Sequence, residues 1–244
     1  MKISNPTSRY KLKIPSGFSV LDVGSGHNPH PRANVVTDKF IDDNYHRAGD
    51  IKVLRKQRFV EADGESLPFK DNEFDYVICC HVAEHVDEPP KFLNELSRVG
   101  KGGYLETPSF IGEFLIPRGA HKWVLLEIQN KLVIVDKERL GMKNSHDFGD
   151  LFLDYLPRNS MGFKILQRTQ HQLFTVNYEW RDKIDYVFEP NDADLKKYFT
   201  QAWDKSMYES VIPKRSLGSE YFAAVGATFD IFKNVFKSKV LSRF

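Results

Sequence analysis

The sequence is poor in cysteine: only Cys79 and Cys80 occur in its 244 residues, side by side inside an apolar run. Adjacent cysteines cannot staple a fold, so a reducing compartment is expected, most simply the cytoplasm. No run approaches the roughly 18 consecutive apolar residues of a membrane-spanning helix. The first 20 residues are polar and basic, with no apolar core of a signal peptide. The formal net charge is only +2, so no global electrostatic pull toward nucleic acid is expected. Internal repeats and low-complexity tracts are also lacking. What remains is 41% hydrophobic, which fits one large α/β domain with appendages, or one domain and a small second lobe.

The most informative stretch is Phe18 to Asp38. Its apolar start, Phe18 to Val23, is short, partly β-branched and closed by glycine, and reads as a buried strand. It runs into Gly24-Ser25-Gly26, where small residues let a ligand approach the backbone. A second short strand, Val35 to Thr37, delivers Asp38. A carboxylate there, beside a glycine turn, is how a Rossmann-like sheet holds an adenosine ribose. The dinucleotide fingerprint would place a third glycine at position 29, and Pro29 stands there. Too few residues separate Gly26 from Val35 for a full crossover helix. A pyrophosphate wants a helix N-terminus, whereas an adenosine ligand without phosphate does not. An isolated GxG is equally a simple tight turn, so the remaining chain decides.

Residues 1–17, with Pro6 and Pro15, form an extension expected to wrap the domain edge. The charged stretch after Asp38, with Asp42, Asp43 and Tyr45, is expected to form a loop and a short helix able to cover a ligand. Arg58 to Asp63 reads as a third strand, Phe74 to Cys80 as a central parallel one. Phe92, Leu93, Leu96 and Val99 recur at helical spacing, and Tyr104 to Thr107 begins a fifth strand. Farther on, Trp123–Ile128 and Leu132–Val135 flank a hairpin turn. Leu173–Trp180 and Ile184–Phe188 suggest a second hairpin. Helices are expected over 148–156, 192–203 and 221–244, the last after a basic linker. The fold class is therefore α/β: a Rossmann-like, mostly parallel sheet flanked by helices, with hairpins and helices as a substrate-side cover. The expected division is a core over 18–140, a cover over 141–219 and a terminal amphipathic helix over 220–244.

Leu21-Asp22-Val23-Gly24-Ser25-Gly26, Asp38, Ala62-Asp63, Leu67-Pro68-Phe69, Phe74-Asp75, Glu84-His85 and Gly100-Lys-Gly-Gly103 follow one another in an order that resembles class I S-adenosylmethionine-dependent methyltransferases. The likeness spans residues 18–108 and is similar to a bacterial group with an LPF, FD and EH signature. Asn28 replaces the last glycine of the usual GxGxG. The back half is similar, more loosely, to methyltransferases of glycan and cell-surface biosynthesis. The resemblance implies that Gly24, Ser25 and Gly26 approach the methionine portion of S-adenosylmethionine, with Asp22 near its amino group. It implies that Asp38 takes the ribose hydroxyls, Asp63 the adenine amine with Gly64 beside the ring, and that Cys80 and His81 line the sulfonium. Each acid could otherwise be a cap or surface charge; its place at a strand's C-terminal end argues for the ligand.

Methyl transfer from a sulfonium is an in-line displacement that needs a base only for a poor nucleophile. His81 is the first base candidate and His121 the second, a surface histidine being the plain alternative for the latter. His81, Glu84 and His85 either brace the loop or form a metal site, as the Glu-x-x-Glu-His of small-RNA 2′-O-methyltransferases does; the sequence reading assigns no metal. The acceptor expected is a small molecule or glycan precursor. The alternatives are a non-catalytic S-adenosylmethionine-binding or scaffolding protein, and an RNA methyltransferase, which the near-neutral charge disfavours. In the terminal helix Phe222, Val225, Phe229, Phe232, Phe236 and Val240 form a stripe, with Lys233, Lys237, Lys239 and Arg243 adding positive charge. Packing on the domain or in a homodimer is expected before peripheral membrane contact.

Overall fold

The structure, a computed structural model, describes residues 1–41, 49–142, 149–212 and 214–241, the side chains of 235–241 excepted. Asp42, Asp43 and Tyr45 of the expected ligand-covering loop therefore lie outside the described residues, as do the side chains of Phe236, Lys237, Lys239, Val240 and Arg243.

The strands are β1 (Lys2–Ser4), β2 (Val20–Val23), β3 (Val35–Asp38), β4 (Arg58–Glu61), β5 (Tyr76–Cys80), β6 (Gly102–Pro108), β7 (Trp123–Ile128), β8 (Lys131–Asp136), β9 (Thr175–Arg181) and β10 (Tyr186–Phe188). The helices are α1 (Pro89–Val99), α2 (Phe110–Leu115), α3 (Leu156–Asn159), α4 (Met161–Thr169), α5 (Ala193–Thr200), α6 (Lys205–Val211) and α7 (Leu217–Leu241). A seven-stranded sheet has the order β1-β9-β6-β5-β2-β3-β4. Its five strands from β4 to β6 are parallel, and β9 and β1 add antiparallel. This is the Rossmann-like, mostly parallel sheet expected from the sequence.

Strand alternation divides the core. Leu21, Val23, Val35, Val77, Cys79 and Leu105 face one layer, where α1 contributes Phe92, Leu93, Leu96 and Val99. Val20, Val36, Tyr76, Ile78, Cys80 and Tyr104 face the other, closed by Leu12 and Ile14 of the N-terminal segment. That segment thus covers a sheet face as well as adding the edge strand β1. The link from β2 to β3 contains no helix, as the prolines at 29 and 31 require.

The first hairpin forms as expected: β7 and β8 pair antiparallel about Gln129 and Asn130, both at positive φ. The second does not form. β9 pairs along the whole of β6, and β10 leaves for a three-stranded sheet, parallel to β8. The reason is burial: Tyr178 and Trp180 are fully buried against the main core, while Tyr186 joins Leu132 on the smaller sheet. Residues after 140 therefore complete the main sheet as well as cover it. The small sheet packs Leu125, Leu132 and Ile134 on the main core. Its other face meets Tyr198, Phe199 and Met207 of α5 and α6.

The terminal helix begins at Leu217 and lies along α4. Its docked face is Ala227 and Ile231, not the phenylalanine stripe: Phe222, Phe229 and Phe232 are exposed. Small residues let two helices approach closely, which turns the aromatic side outward. Truncating buried Ile231, 3% exposed, to alanine is expected to loosen α7 by about 2–4 kcal/mol, read as faster limited proteolysis within 217–241. Phe229→Ala, at a position 73% exposed, is expected to change it by under about 0.5 kcal/mol. Equal effects would place the docked face elsewhere.

Candidate active site

The parallel strands end at one edge, where open α/β sheets bind ligands. A cavity of about 400 Å³ opens there. It is lined by the turn from Val23 to Asn28, by Asp38 to Phe40, by Ala62 to Glu65, by Cys80 to Val82, by His85 to Asp87, and by Arg9, Phe92 and Lys122. Of the residues assigned to the cofactor from sequence, Gly24, Ser25, Gly26, Asp38, Asp63, Gly64, Cys80 and His81 all meet in this cavity, and Asp22 does not.

Gly24 sits at φ +67°, and a Cβ on it would lie 2.3 Å from Val82 Cγ2. The glycine turn is thus clamped beneath the loop that follows β5. Gly64 has the same relation to Phe92, whose ring would lie 2.5 Å from an added Cβ. Asp38 accepts from the Gly26 and Phe40 backbone N–H groups, both at 3.1 Å, which ties the end of β3 to the turn after β2. Asp63 accepts from Glu65 N–H and pairs with Lys39 at 2.7 Å. Burial raises the Asp63 carboxyl, but the Lys39 ammonium and the Glu65 N–H hold it below its ordinary value. The Ser25 hydroxyl is buried and makes no hydrogen bond among the described residues.

Asp22 is 1% exposed and points to the sheet face that the N-terminal segment covers. There its carboxylate takes Arg9 at 3.0 Å and the His30 N–H at 2.7 Å. Strand alternation decides this: Val23 faces the α1 layer, so Asp22 faces the other. The expectation that Asp22 lies at the methionine amino group is therefore corrected; its partner is Arg9, which itself lines the cavity. The same segment is fixed by hydrogen bonding between Tyr10 and Asn28 and by His30 Nε2 against Arg9 O at 3.1 Å.

His81 lies at φ +57°, the left-handed region that non-glycine residues occupy under constraint. The constraint is visible: its N–H donates to Glu106 O at 2.7 Å. Nδ1 is 3.5 Å from Glu84 Oε1 and Nε2 3.3 Å from Glu106 Oε1. Half of the side chain is exposed, while both ring nitrogens face carboxylates. Burial disfavours the imidazolium, but Glu106 and Glu84 outweigh it and raise the pKa to about 10. The two carboxylates favour the imidazolium, the form that cannot accept a proton, which argues against the expected general-base role.

Glu84 is 1% exposed. Its Oε2 accepts from Thr107 Oγ1 at 2.9 Å, and its backbone carbonyl accepts from the Lys122 and Trp123 N–H groups. The start of β7 is thereby seated on the His81–His85 loop. This brings His121 to His85, with ring centroids 4.7 Å apart. Burial would raise the Glu84 carboxyl, but the surrounding histidines, His81 foremost, lower it to about 2. His121 Nδ1 bonds Glu113 at 2.6 Å. His121 does not line the cavity.

Sequence reasoning missed Arg9, Glu106, Glu113 and Lys39. Glu106 was findable as a lone acid inside an apolar strand. Arg9 carried no local signal, because its partner comes from another element.

Residues 32–105 match the model of a family described as a methyltransferase domain. Over this stretch the chain is similar to methyltransferase domains. An uncharacterised methyltransferase of Mycobacterium tuberculosis is 35% identical over 116 residues, 44% of each chain. One of Mycobacterium leprae is 36% identical over 125 residues, 44% of this chain and 42% of the relative. The aligned part thus spans under half the length of these curated relatives. A solved S-adenosylmethionine-dependent methyltransferase of Thermotoga maritima is 23% identical with a TM-score of 0.32, covering 45% of this chain and 55% of that one. The strand order itself, rather than that likeness, establishes the fold. The methyltransferase domain implies S-adenosylmethionine as cofactor. The residues present fit it: two carboxylates, at Asp38 and Asp63, can accept from ribose hydroxyls and an adenine amine, and the Ser25 hydroxyl is buried without a partner.

Burial is the largest influence on Asp22 and raises its pKa to about 6, although Arg9 and His30 N–H favour the charge. A carboxyl with a raised folded-state pKa is stabilising while protonated, fully below about pH 4, and that contribution is lost as pH rises through about 6. The stability of the native sequence relative to Asp22→Asn is therefore expected to fall by about 2.4 kcal/mol between pH 4 and pH 7. Urea unfolding of both proteins at each pH checks this. A pH-independent difference would mean that Asp22 titrates as an ordinary carboxyl.

Proposed function

We propose that this protein is an S-adenosylmethionine-dependent methyltransferase that methylates a small molecule or a sugar or glycan precursor. The observation that carries the reading is the convergence of Gly24–Gly26, Asp38, Asp63 and Gly64 on one cavity at the C-terminal edge of the parallel strands. When bound, the cofactor supplies a methyl group on a sulfonium, a good leaving group. The chain's own part is then chiefly to hold and align. Asp38 is held toward the glycine turn by the Gly26 N–H, which orients it to accept ribose hydroxyls. Asp63, favoured in its ionised form by Lys39, would accept from the adenine amine. Cys80 and His81 form the wall beyond the turn, and the buried Cys80 thiol is pushed well up, so it is a neutral contact rather than a nucleophile.

A concave site of this volume suits a small ligand. The near-neutral formal charge of +2 disfavours RNA as the acceptor. The competing reading, a protein that binds the cofactor without turnover, predicts the same titration but no product in a screen of sugar and metabolite acceptors.

Isothermal titration with S-adenosylmethionine and its demethylated product is expected to give one saturable site. Asp38→Ala is expected to weaken both by about 1.5–3 kcal/mol, the scale of hydrogen bonds to a charged group. No binding to the native protein would remove both cofactor and activity. An unchanged dissociation constant in the folded variant would remove Asp38 from the site.

A further inference from the structure

Beside the cofactor cavity, Glu84, His85 and His121 present one carboxylate oxygen and two ring nitrogens within 4.8 Å of one another. Three features of this cluster exceed what a packed loop needs. The first is an orphan acceptor. Glu84 is 1% exposed, and its Oε1 accepts no hydrogen bond among the described residues. The nearest cationic groups are His81 Nδ1 at 3.5 Å and His85 Nε2 at 3.9 Å. Neither histidine is close enough for a normal hydrogen bond, so this buried oxygen keeps an acceptor position that a further cation can fill.

The second feature is the orientation of the histidines. His85 Nδ1 lies 3.1 Å from Ala120 O, which turns Nε2 toward Glu84. His121 Nδ1 lies 2.6 Å from Glu113 Oε2, which leaves Nε2 as its other donor atom. A histidine whose far nitrogen is anchored on a carbonyl or carboxylate has its tautomer and ring plane set for metal ligation. The third feature is the support behind Glu113. That acid is 2% exposed and is held by Lys137 at 2.5 Å and by Arg118 N–H at 3.1 Å. Glu84 is likewise held through Oε2 by Thr107. The outer partners are thus in place around an inner set of two histidines and one carboxylate.

We propose that Glu84, His85 and His121 form a binding site for a divalent transition-metal ion, Zn²⁺ by ligand type, with an open position for water or another donor. Two histidines and a carboxylate are a zinc donor set of the kind that keeps an open coordination position. Tetrahedral coordination at the usual bond lengths places ligand atoms about 3.4 Å apart, so the triad closes by about an ångström on binding. His81 is not a ligand in this arrangement, because both its ring nitrogens face carboxylates. This revises the sequence reading, which assigned no metal and grouped His81 with Glu84 and His85. One of the three ligands, His85, also lines the cofactor cavity, and the test reads metal binding alone, in the absence of S-adenosylmethionine.

The test uses the full chain, stripped with a chelator. Zn²⁺ titrated in competition with a chromophoric chelator is expected to bind at one equivalent. Co²⁺ is expected to give the intense visible absorption of a four- or five-coordinate site. Glu84→Gln and His121→Ala are each expected to weaken Zn²⁺ binding at least 100-fold, whereas His81→Asn keeps one tight equivalent. Variants are compared only where their far-ultraviolet circular dichroism matches the native protein. The native Co²⁺ spectrum decides the matter where a variant does not fold. Binding that is absent, exceeds one equivalent without a tight first site, or survives His121→Ala would overturn the assignment, as would an octahedral Co²⁺ spectrum of the weak hexa-aqua type.

Discussion

The carboxylate of Glu84 is the point on which several elements depend. It leaves β5 on the short loop that begins at His81, is almost wholly buried, and reaches β6 through Thr107. Its backbone carbonyl receives the first residues of β7, so the smaller sheet is positioned from the same residue. A buried negative charge is tolerated only where positive or hydrogen-bonding groups surround it. Here histidines do so, and in doing so they set the conformation of the loop at the cavity wall. The positive φ of His81 is a consequence: its N–H and both ring nitrogens are drawn to acids on neighbouring strands.

A second charged contact works on the opposite sheet face. Arg9 and Asp22 join an N-terminal segment to the central strand, and Arg9 also reaches the cavity. The cavity is therefore built from both ends of the first 40 residues rather than from the glycine turn alone. The turn is in turn held from above by Val82, which occupies the space a side chain at Gly24 would need. Glycine at this place serves loop packing as directly as it serves approach to a ligand.

The back half contributes by sheet completion. β9 runs antiparallel along β6 and places Asn177 against Glu106 and Tyr104. Those bonds steady the acid that pairs with His81. The terminal helix stands apart from this network: among the described side chains it docks by alanine and isoleucine and leaves Phe222, Phe229 and Phe232 uncovered by the rest of this chain. Among the described residues no helix is long and apolar enough to cross a membrane.

The local sequence was enough to determine the parallel core and which of its residues meet at the cavity edge. Short apolar runs ending in Gly24–Gly26, Asp38 and Asp63 specify strands, their polarity and which residues stand at their C-terminal ends, because these depend on residue type and spacing along one segment. The β7–β8 hairpin was legible for the same reason, from the turn signal Gln129-Asn130-Lys131, of which Lys131 opens β8. What tertiary structure alone decided are the contacts between segments far apart in sequence. Asp22 was assigned to the ligand until strand alternation and Arg9 placed it on the other face. His81 read as a base until Glu106, from the next strand, surrounded it with negative charge. β9 and β10 read as a hairpin because they are adjacent in sequence, yet burial of Tyr178 and Trp180 sent them to different sheets. His121 met Glu84 and His85 only because β7 is seated on the Glu84 carbonyl. Long-range pairing is selected by buried area and charge compensation in the assembled core, and neither quantity is written in a local stretch of residues.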